Sequence, residues 1–207
     1  MLTIWGRANS LNVQKVMWCI AELAIPHRRI DIGGAFGGND RPEYRAKNPN
    51  GLVPVLEQDD GFILWESNTI VRYLAAKYGA GTLWPEDPAR RADAERWMDW
   101  SLTTVQGAVN PMFMGLIRQA PEKRDMTAIE AARLKSEEVW KIAEARLADR
   151  PYFGGDALTI GDIPMGAWFY RWFNLPIAHQ RFPALEAWYA SLAAREGFRT
   201  HVMLPLT

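Results

Sequence analysis

The stretch VPVLEQDDGFILWESNTIVRYLAAKYG, residues 53–79, decides the fold. VPVLE and FILWE read as two short β-runs, and the Asp-Gly pair in QDDG between them predicts an antiparallel hairpin. Ile70, Val71, Leu74 and Tyr78 then fall at helical spacing. Ser67 is expected to cap that helix and Gly79 to end it.

Working outward, LTI (residues 2–4) reads as a first strand, with Leu2 and Ile4 on one face. Val13, Val16, Met17, Ile20 and Ala24 form the stripe of an amphipathic helix, which Pro26 is expected to stop. RRIDI follows as a second strand, and the order strand–helix–strand favours a parallel pair. GGAFGGND (33–40) holds four glycines, but no Gly-Lys-Ser/Thr follows, so it reads as a surface loop and not as a phosphate cradle.

Beyond GAGTLWPEDPARR, a Gly- and Pro-rich linker, every segment reads as helix. Helices are expected from about 89 to 118, from about 126 to 148, after Thr159, and over ALEAWYASLAAR. The expected architecture is α/β plus all-α: a small α/β domain over residues 1–80 and an all-helical domain over 88–207.

Composition narrows the function. The chain has 207 residues with 24 Lys+Arg and 24 Asp+Glu, so its formal net charge is zero. That balance gives no reason to expect nucleic acid or an anionic membrane as a partner. Neither a leader peptide nor an apolar run of ~18 residues is evident, so a cytoplasmic protein is expected. Cys19 is the only cysteine, which excludes an internal disulfide and a Cys-X-X-Cys redox pair. The histidines at 27, 179 and 201 lack metal-ligand spacing, and no metal is expected. The ten tryptophans read mostly as filling for a helical core.

Three motifs, NPNGLVPVLE, WESNTIVRYL and LTIGDIPMGAW, together resemble the cytosolic glutathione transferases over essentially the whole chain. The resemblance implies a thioredoxin-like N-terminal domain, glutathione as co-substrate and a homodimer. On residues alone, Pro54 at a strand start could simply follow a trans bond. The resemblance implies a cis bond at Val53–Pro54, with the Val53 backbone pairing with the cysteinyl unit of glutathione. Glu66 and Ser67 stand where a strand meets a helix N-terminus; the free N–H groups suit a carboxylate and the acid suits an ammonium, the two charges of a γ-glutamyl end. Both residues also have a plain reading, as helix cap and solvated acid. The family commonly has Gln or Lys just before Val-Pro, facing the glycyl carboxylate. Here that residue is Leu52, which cannot bind a carboxylate, leaving Asn39 or Asn50 to compensate. Thr159 and Asp162 read as a capping box with a folding role.

The chemistry would rest on NSLN, residues 9–12. A free thiol has a pKa of ~8.5, so lowering it by one to two units takes about 1.4–2.7 kcal/mol of preferential interaction with the thiolate. A hydroxyl donor and a helix N-terminus supply interactions of that order. Ser10 matches the catalytic serine of theta-like transferases, while Ser10-X-Asn12 resembles the Thr-X-Asn of the bacterial nu class. Ser10 is the expected principal thiolate donor and Asn12 its rival or partner, one of the two also capping the helix. No tyrosine lies near the first strand, and Cys19 is mid-helix.

For the second substrate, an apolar electrophile is expected. Its candidate site residues are Met112 and Phe113 from NPMFMG, and Trp168 and Trp172 from GAWFYRWF, with one or two of such residues facing the cleft. Two alternatives keep the fold. One is a glutathione-dependent disulfide reductase or peroxidase of the nu type; the other is a non-catalytic binding protein.

Overall fold

The computed structural model describes all residues, 1–207. Strand β1 (Leu2–Trp5) leads into helix α1 (Leu11–Glu22) and strand β2 (His27–Ile30). A single 3-10 turn (Gly34–Phe36) and a short helix α2 (Pro42–Arg45) cross to the hairpin β3 (Val55–Gln58) and β4 (Ile63–Trp65), and α3 (Ser67–Tyr78) closes the unit. The sheet order is β2-β1-β3-β4. β1 runs parallel to β2, with Leu2 opposite His27, and antiparallel to β3, with Leu2 opposite Gln58. The hairpin pairs Val55 with Trp65.

Helix α1 ends earlier than its apolar stripe suggests. Ala24 is outside the helix, in the left-handed region at φ 50°, because the chain must reverse there to begin β2 at His27. β2 stops at Ile30, leaving Ile32 beyond the ladder. Nor is α1 a one-sided amphipathic helix: from Val13 to Ile20 every residue is buried. It packs on α3 within the sheet-bearing unit and on two helices of the other half, the surroundings in which a helix is covered all round.

The helical half opens with one nearly continuous rod. It comprises α4 (Pro88–Trp100), a π-helical stretch (Ser101–Val105), α5 (Gln106–Phe113) and a second π-helical stretch (Met114–Arg118). Asp87 caps it, accepting from the Arg90 N–H at 2.8 Å. Then come α6 (Met126–Leu147), α7 (Asp162–Phe173), α8 (Pro183–Ala193) and a final short α9 (Glu196–His201). α7 and α9 are the helices that meet α1.

The box at the start of α7 is half formed. The buried Asp162 carboxylate accepts the Thr159 N–H at 2.9 Å, but the Thr159 hydroxyl also donates to that carboxylate instead of capping the helix. Asp162 further accepts the Phe153 N–H and the Trp188 indole N–H, so it ties three segments together. Burial pushes its carboxyl up to about 6 against the pull of these donors. A single buried cluster of apolar side chains runs through both halves, with Trp18, Trp140, Trp172 and Trp188 among its largest members.

Candidate active site

Gly6 closes β1 and lets three segments converge. A Cβ there would meet Val13 of α1 at 2.5 Å and Val53 at 3.3 Å. The chain then turns through residues 7–9 into α1. Ser10 occupies the cap position in extended conformation, yet its side chain makes no capping bond. Its carbonyl accepts the Gln14 N–H at 2.8 Å, whereas the hydroxyl, on a buried residue, lines a cleft. The expectation that Ser10 or Asn12 caps the helix through its side chain is therefore not met. The N–H groups of Leu11, Asn12 and Val13 have no backbone acceptor, as the first turn of a helix requires.

The Ser67 hydroxyl donates to Asn12 Oδ1 at 3.3 Å, joining the N-termini of α3 and α1. Ser67 is the first helical residue rather than the cap. The cap position belongs to Glu66, which is exposed and adopts φ 71°. The strand must turn sharply into α3 at that point, and the turn leaves the N–H groups of residues 67–69 without backbone acceptors.

The Val53–Pro54 bond is cis. Pairing of β3 begins only at Val55, and no backbone group of the chain takes up the N–H or carbonyl of Val53. The segment before it is held firmly. Leu52 accepts through its carbonyl from the Tyr44 hydroxyl at 2.7 Å and from Asn48 Nδ2 at 2.8 Å, while its side chain is exposed. Asn39 Nδ2 donates to the Gly51 carbonyl at 2.7 Å, and Asn50 Nδ2 donates to Asn48 Oδ1 at 3.1 Å. Both amide NH₂ groups thus have a role within the loop itself.

The cleft beside Ser10 has a volume of about 350 Å³. The turn after β1 contributes Arg7, Ser10 and Asn12. The long rod contributes Gln106, Asn110, Phe113, Met114 and Arg118, and α7 contributes Trp168 and Arg171. Two of the four residues expected here, Phe113 and Trp168, are in place. Met112 and Trp172 are not: both are buried in the core. Each is the neighbour of a lining residue, and one step along a helix turns a side chain by ~100°. Trp172 donates instead to Ser136 Oγ at 3.0 Å and packs on Trp140 and Phe182.

The lining also departs from the expected apolar site, because three guanidinium groups face it. Arg171 stacks over Phe113 with its Cζ 3.9 Å from the ring centroid, and Arg118 approaches the same ring at 5.4 Å. Burial, then the neighbouring Arg118 and Arg7 charges, brings the Arg171 pKa down to about 9. Arg7 and Arg118 sit outside every motif used to read the sequence. A cluster drawn from three separate elements leaves no spacing signal.

A further cation is buried near the site. Lys15, one turn after Asn12, is fully buried and donates to Asn68 Oδ1 at 3.1 Å. Asn68 in turn donates to the Met98 carbonyl at 2.8 Å, where the rod begins to widen into its π-helical turn. Burial drives the Lys15 pKa down to about 7, partly opposed by Glu66 and reinforced by Arg171. Cys19 is buried in the middle of α1, where burial and then Glu22 hold its thiol far above the ordinary range. Such a thiol is unreactive.

The chain matches the glutathione S-transferase N-terminal domain over residues 6–82 and the glutathione S-transferase C-terminal domain over residues 106–196. It is 44% identical to glutathione S-transferase GstB of Escherichia coli strain K12, with all of both chains covered. It is also 25% identical to the disulfide-bond oxidoreductase YfcG of the same strain, covering 89% of this chain and 86% of that one. Among solved structures, it superposes on the theta class glutathione S-transferase of Xanthomonas axonopodis pv. citri with glutathione bound. That match has a TM-score of 0.95 and 48% identity, covering 100% and 99% of the two chains.

Proposed function

Because the chain belongs to the glutathione S-transferase family, we propose that it binds glutathione across the N-termini of α1 and α3 and transfers its sulfur to an electrophile in the adjoining cleft. The observation that carries this reading is the end of α1, where an uncapped Ser10 hydroxyl and three free N–H groups stand at the rim of the cleft. The glutathione-bound relative supports the choice of thiol.

In this reading the γ-glutamyl carboxylate meets the free N–H groups of α3 from Ser67 onward, and its ammonium meets Glu66. The cysteinyl backbone pairs with Val53, and the glycyl end passes Leu52 towards the loop braced by Asn39 and Asn50. Ser10 donates to the sulfur, with Asn12 beside it, and the α1 dipole adds to the stabilisation of the anion. The thiolate attacks the electrophilic carbon, a C–S bond forms, and the leaving group departs with its bonding pair. Phe113 and Trp168 line the cleft that receives the acceptor, with Arg171 stacked over the Phe113 ring.

A second chemistry has one observation in its favour. Asn12 presents an amide beside Ser10, as the nu-type pattern has it, and the relative YfcG is a disulfide-bond oxidoreductase. There, a second glutathione would supply the other sulfur. We place the enzyme in the cytoplasm in a detoxifying role. We further propose a homodimer, with the sheet-bearing unit of one subunit against the helices of the other.

Calorimetry with glutathione and a conjugation assay with 1-chloro-2,4-dinitrobenzene test the proposal. The expected result is binding by the wild type, with conjugation falling about 10- to 100-fold in Ser10→Ala while glutathione still binds, the loss of one charge-assisted hydrogen bond. Glutathione binding with no conjugation but turnover of hydroxyethyl disulfide would move the disulfide chemistry to the front. No binding at all would leave a non-catalytic protein of this fold.

A further inference from the structure

The cleft beside Ser10 carries three guanidinium groups and no carboxylate. Arg171 is 8% exposed, yet it has neither an ion pair nor a hydrogen bond within the chain. Elsewhere several arginines pair with acids: Arg146 with Asp93, Arg133 with Glu137 and Arg195 with Glu22. Arg7 and Arg118 likewise have no acidic side-chain partner among the cleft residues, while the C-terminal Thr207 shares a smaller neighbouring pocket with Arg171.

The arginines are also positioned. Arg171 rests on the Phe113 ring, with the Trp168 ring centroid 5.4 Å from its Cζ, and Arg118 approaches the same Phe113. Arg7 lies across Gly34: a Cβ there would meet its Nε at 2.8 Å, and the glycine has φ 59°. A buried cation lacking a counter-ion is costly to the fold, and a guanidinium matches a carboxylate in two parallel hydrogen bonds. Gln106 and Asn110 on the same wall add neutral donors.

We propose that Arg7, Arg118 and Arg171 form a carboxylate-binding corner of the cleft, so that the second substrate is a small anionic electrophile. This rests on the transferase reading and names the substrate class of that same site. The carboxylate is a spectator. It is held at the arginines while the glutathione thiolate attacks the carbon bearing the leaving group; the C–S bond forms, the bond to the leaving group breaks, and the leaving anion takes the electron pair. Orientation by the fixed charge at one end of the substrate brings its reactive carbon towards Ser10.

The test compares 4-chloro-3,5-dinitrobenzoate with its methyl ester, which undergo the same displacement of chloride and differ in charge. Wild type, Arg171→Gln and Arg118→Gln are assayed, the last at an exposed position where folding is not at stake. The proposal predicts that kcat/KM for the benzoate falls about 10- to 100-fold in the variants, ~1.4–2.8 kcal/mol at 1.4 kcal/mol per decade. The ester changes less than about threefold, and glutathione affinity is unchanged. In parallel, the unreactive 3,5-dinitrobenzoate is titrated into the protein; binding by wild type and loss in both variants supports the anion corner whether or not either chloride is turned over. Equal handling of acid and ester by all three proteins overturns the proposal and leaves the transferase reading standing. Absence of any conjugation, with dinitrobenzoate binding intact, overturns the transferase reading alone. If the variants instead lose affinity for glutathione disulfide and treat the benzoate as wild type does, the carboxylate belongs to a second glutathione, and the electrophile assignment is wrong.

Discussion

The Ser67 hydroxyl donates to Asn12 Oδ1 at 3.3 Å, across 55 residues of sequence. This bond joins the helix N-terminus assigned to the γ-glutamyl end of glutathione to the one assigned to its sulfur. It also fixes the Asn12 amide: with its oxygen accepting from Ser67, its NH₂ remains free to donate towards the cleft.

Ser67→Ala removes that orientation. The loss of one hydrogen bond beside the bound ligand predicts a glutathione Kd weakened by about threefold to tenfold. A rise in the thiol pKa of bound glutathione should accompany it. Calorimetry and thiolate absorbance on the same variant check both. An unchanged Kd would detach Ser67 from the ligand.

Lys15 predicts a pH effect on stability. Its folded-state pKa is lowered to about 7, below the ordinary lysine value, so between those pH values the unfolded chain binds more protons. The cost of burying the ammonium is therefore present in full below about pH 7 and is relieved as the pH rises above it. Lys15→Met removes this slope. In urea unfolding, the advantage of Met over wild type should shrink between about pH 7 and about pH 9, by at most ~1.4 kcal/mol per unit. A constant difference would mean that Lys15 titrates normally.

Asp162 gathers donors from residues 153, 159 and 188 in the interior. Asp162→Ala leaves them unsatisfied and is expected to destabilise the fold by ~3 kcal/mol or more. Asp162→Asn loses less, since one amide oxygen still accepts. Denaturant melts that rank Asn with Ala would show that the negative charge itself is what matters.

Cys19→Ala should leave conjugation within about twofold of wild type, because the thiol is buried and held protonated. Native wild type should resist alkylation by iodoacetamide until it unfolds. A large loss of activity would reopen a mechanism through the protein's own sulfur.

The parts of this molecule legible from sequence are those governed by local periodicity and turn chemistry. The hairpin after Pro54, the helix after Glu66 and the rod from 88 onward came from such signals. Where burial or backbone path decides, local signals failed. Ala24 fits the α1 stripe but lies past its end, and Met112 and Trp172 are one helical step away from the cleft they were expected to line. The buried Lys15–Asn68 bond and the three arginines join residues far apart in the chain, which no single-sequence pattern encodes. The final helix α9 is too short to show a period.

The central claim is that Ser10 holds bound glutathione as thiolate, and its most direct test is an ultraviolet titration of the thiolate in complex with wild type, Ser10→Ala and Asn12→Ala. The expected result is a thiol pKa of about 7 or lower on the wild type, a return towards ~8.5 in Ser10→Ala, and a smaller rise in Asn12→Ala. A pKa that stays low in Ser10→Ala and rises only in Asn12→Ala would contradict it and give the sulfur to the amide.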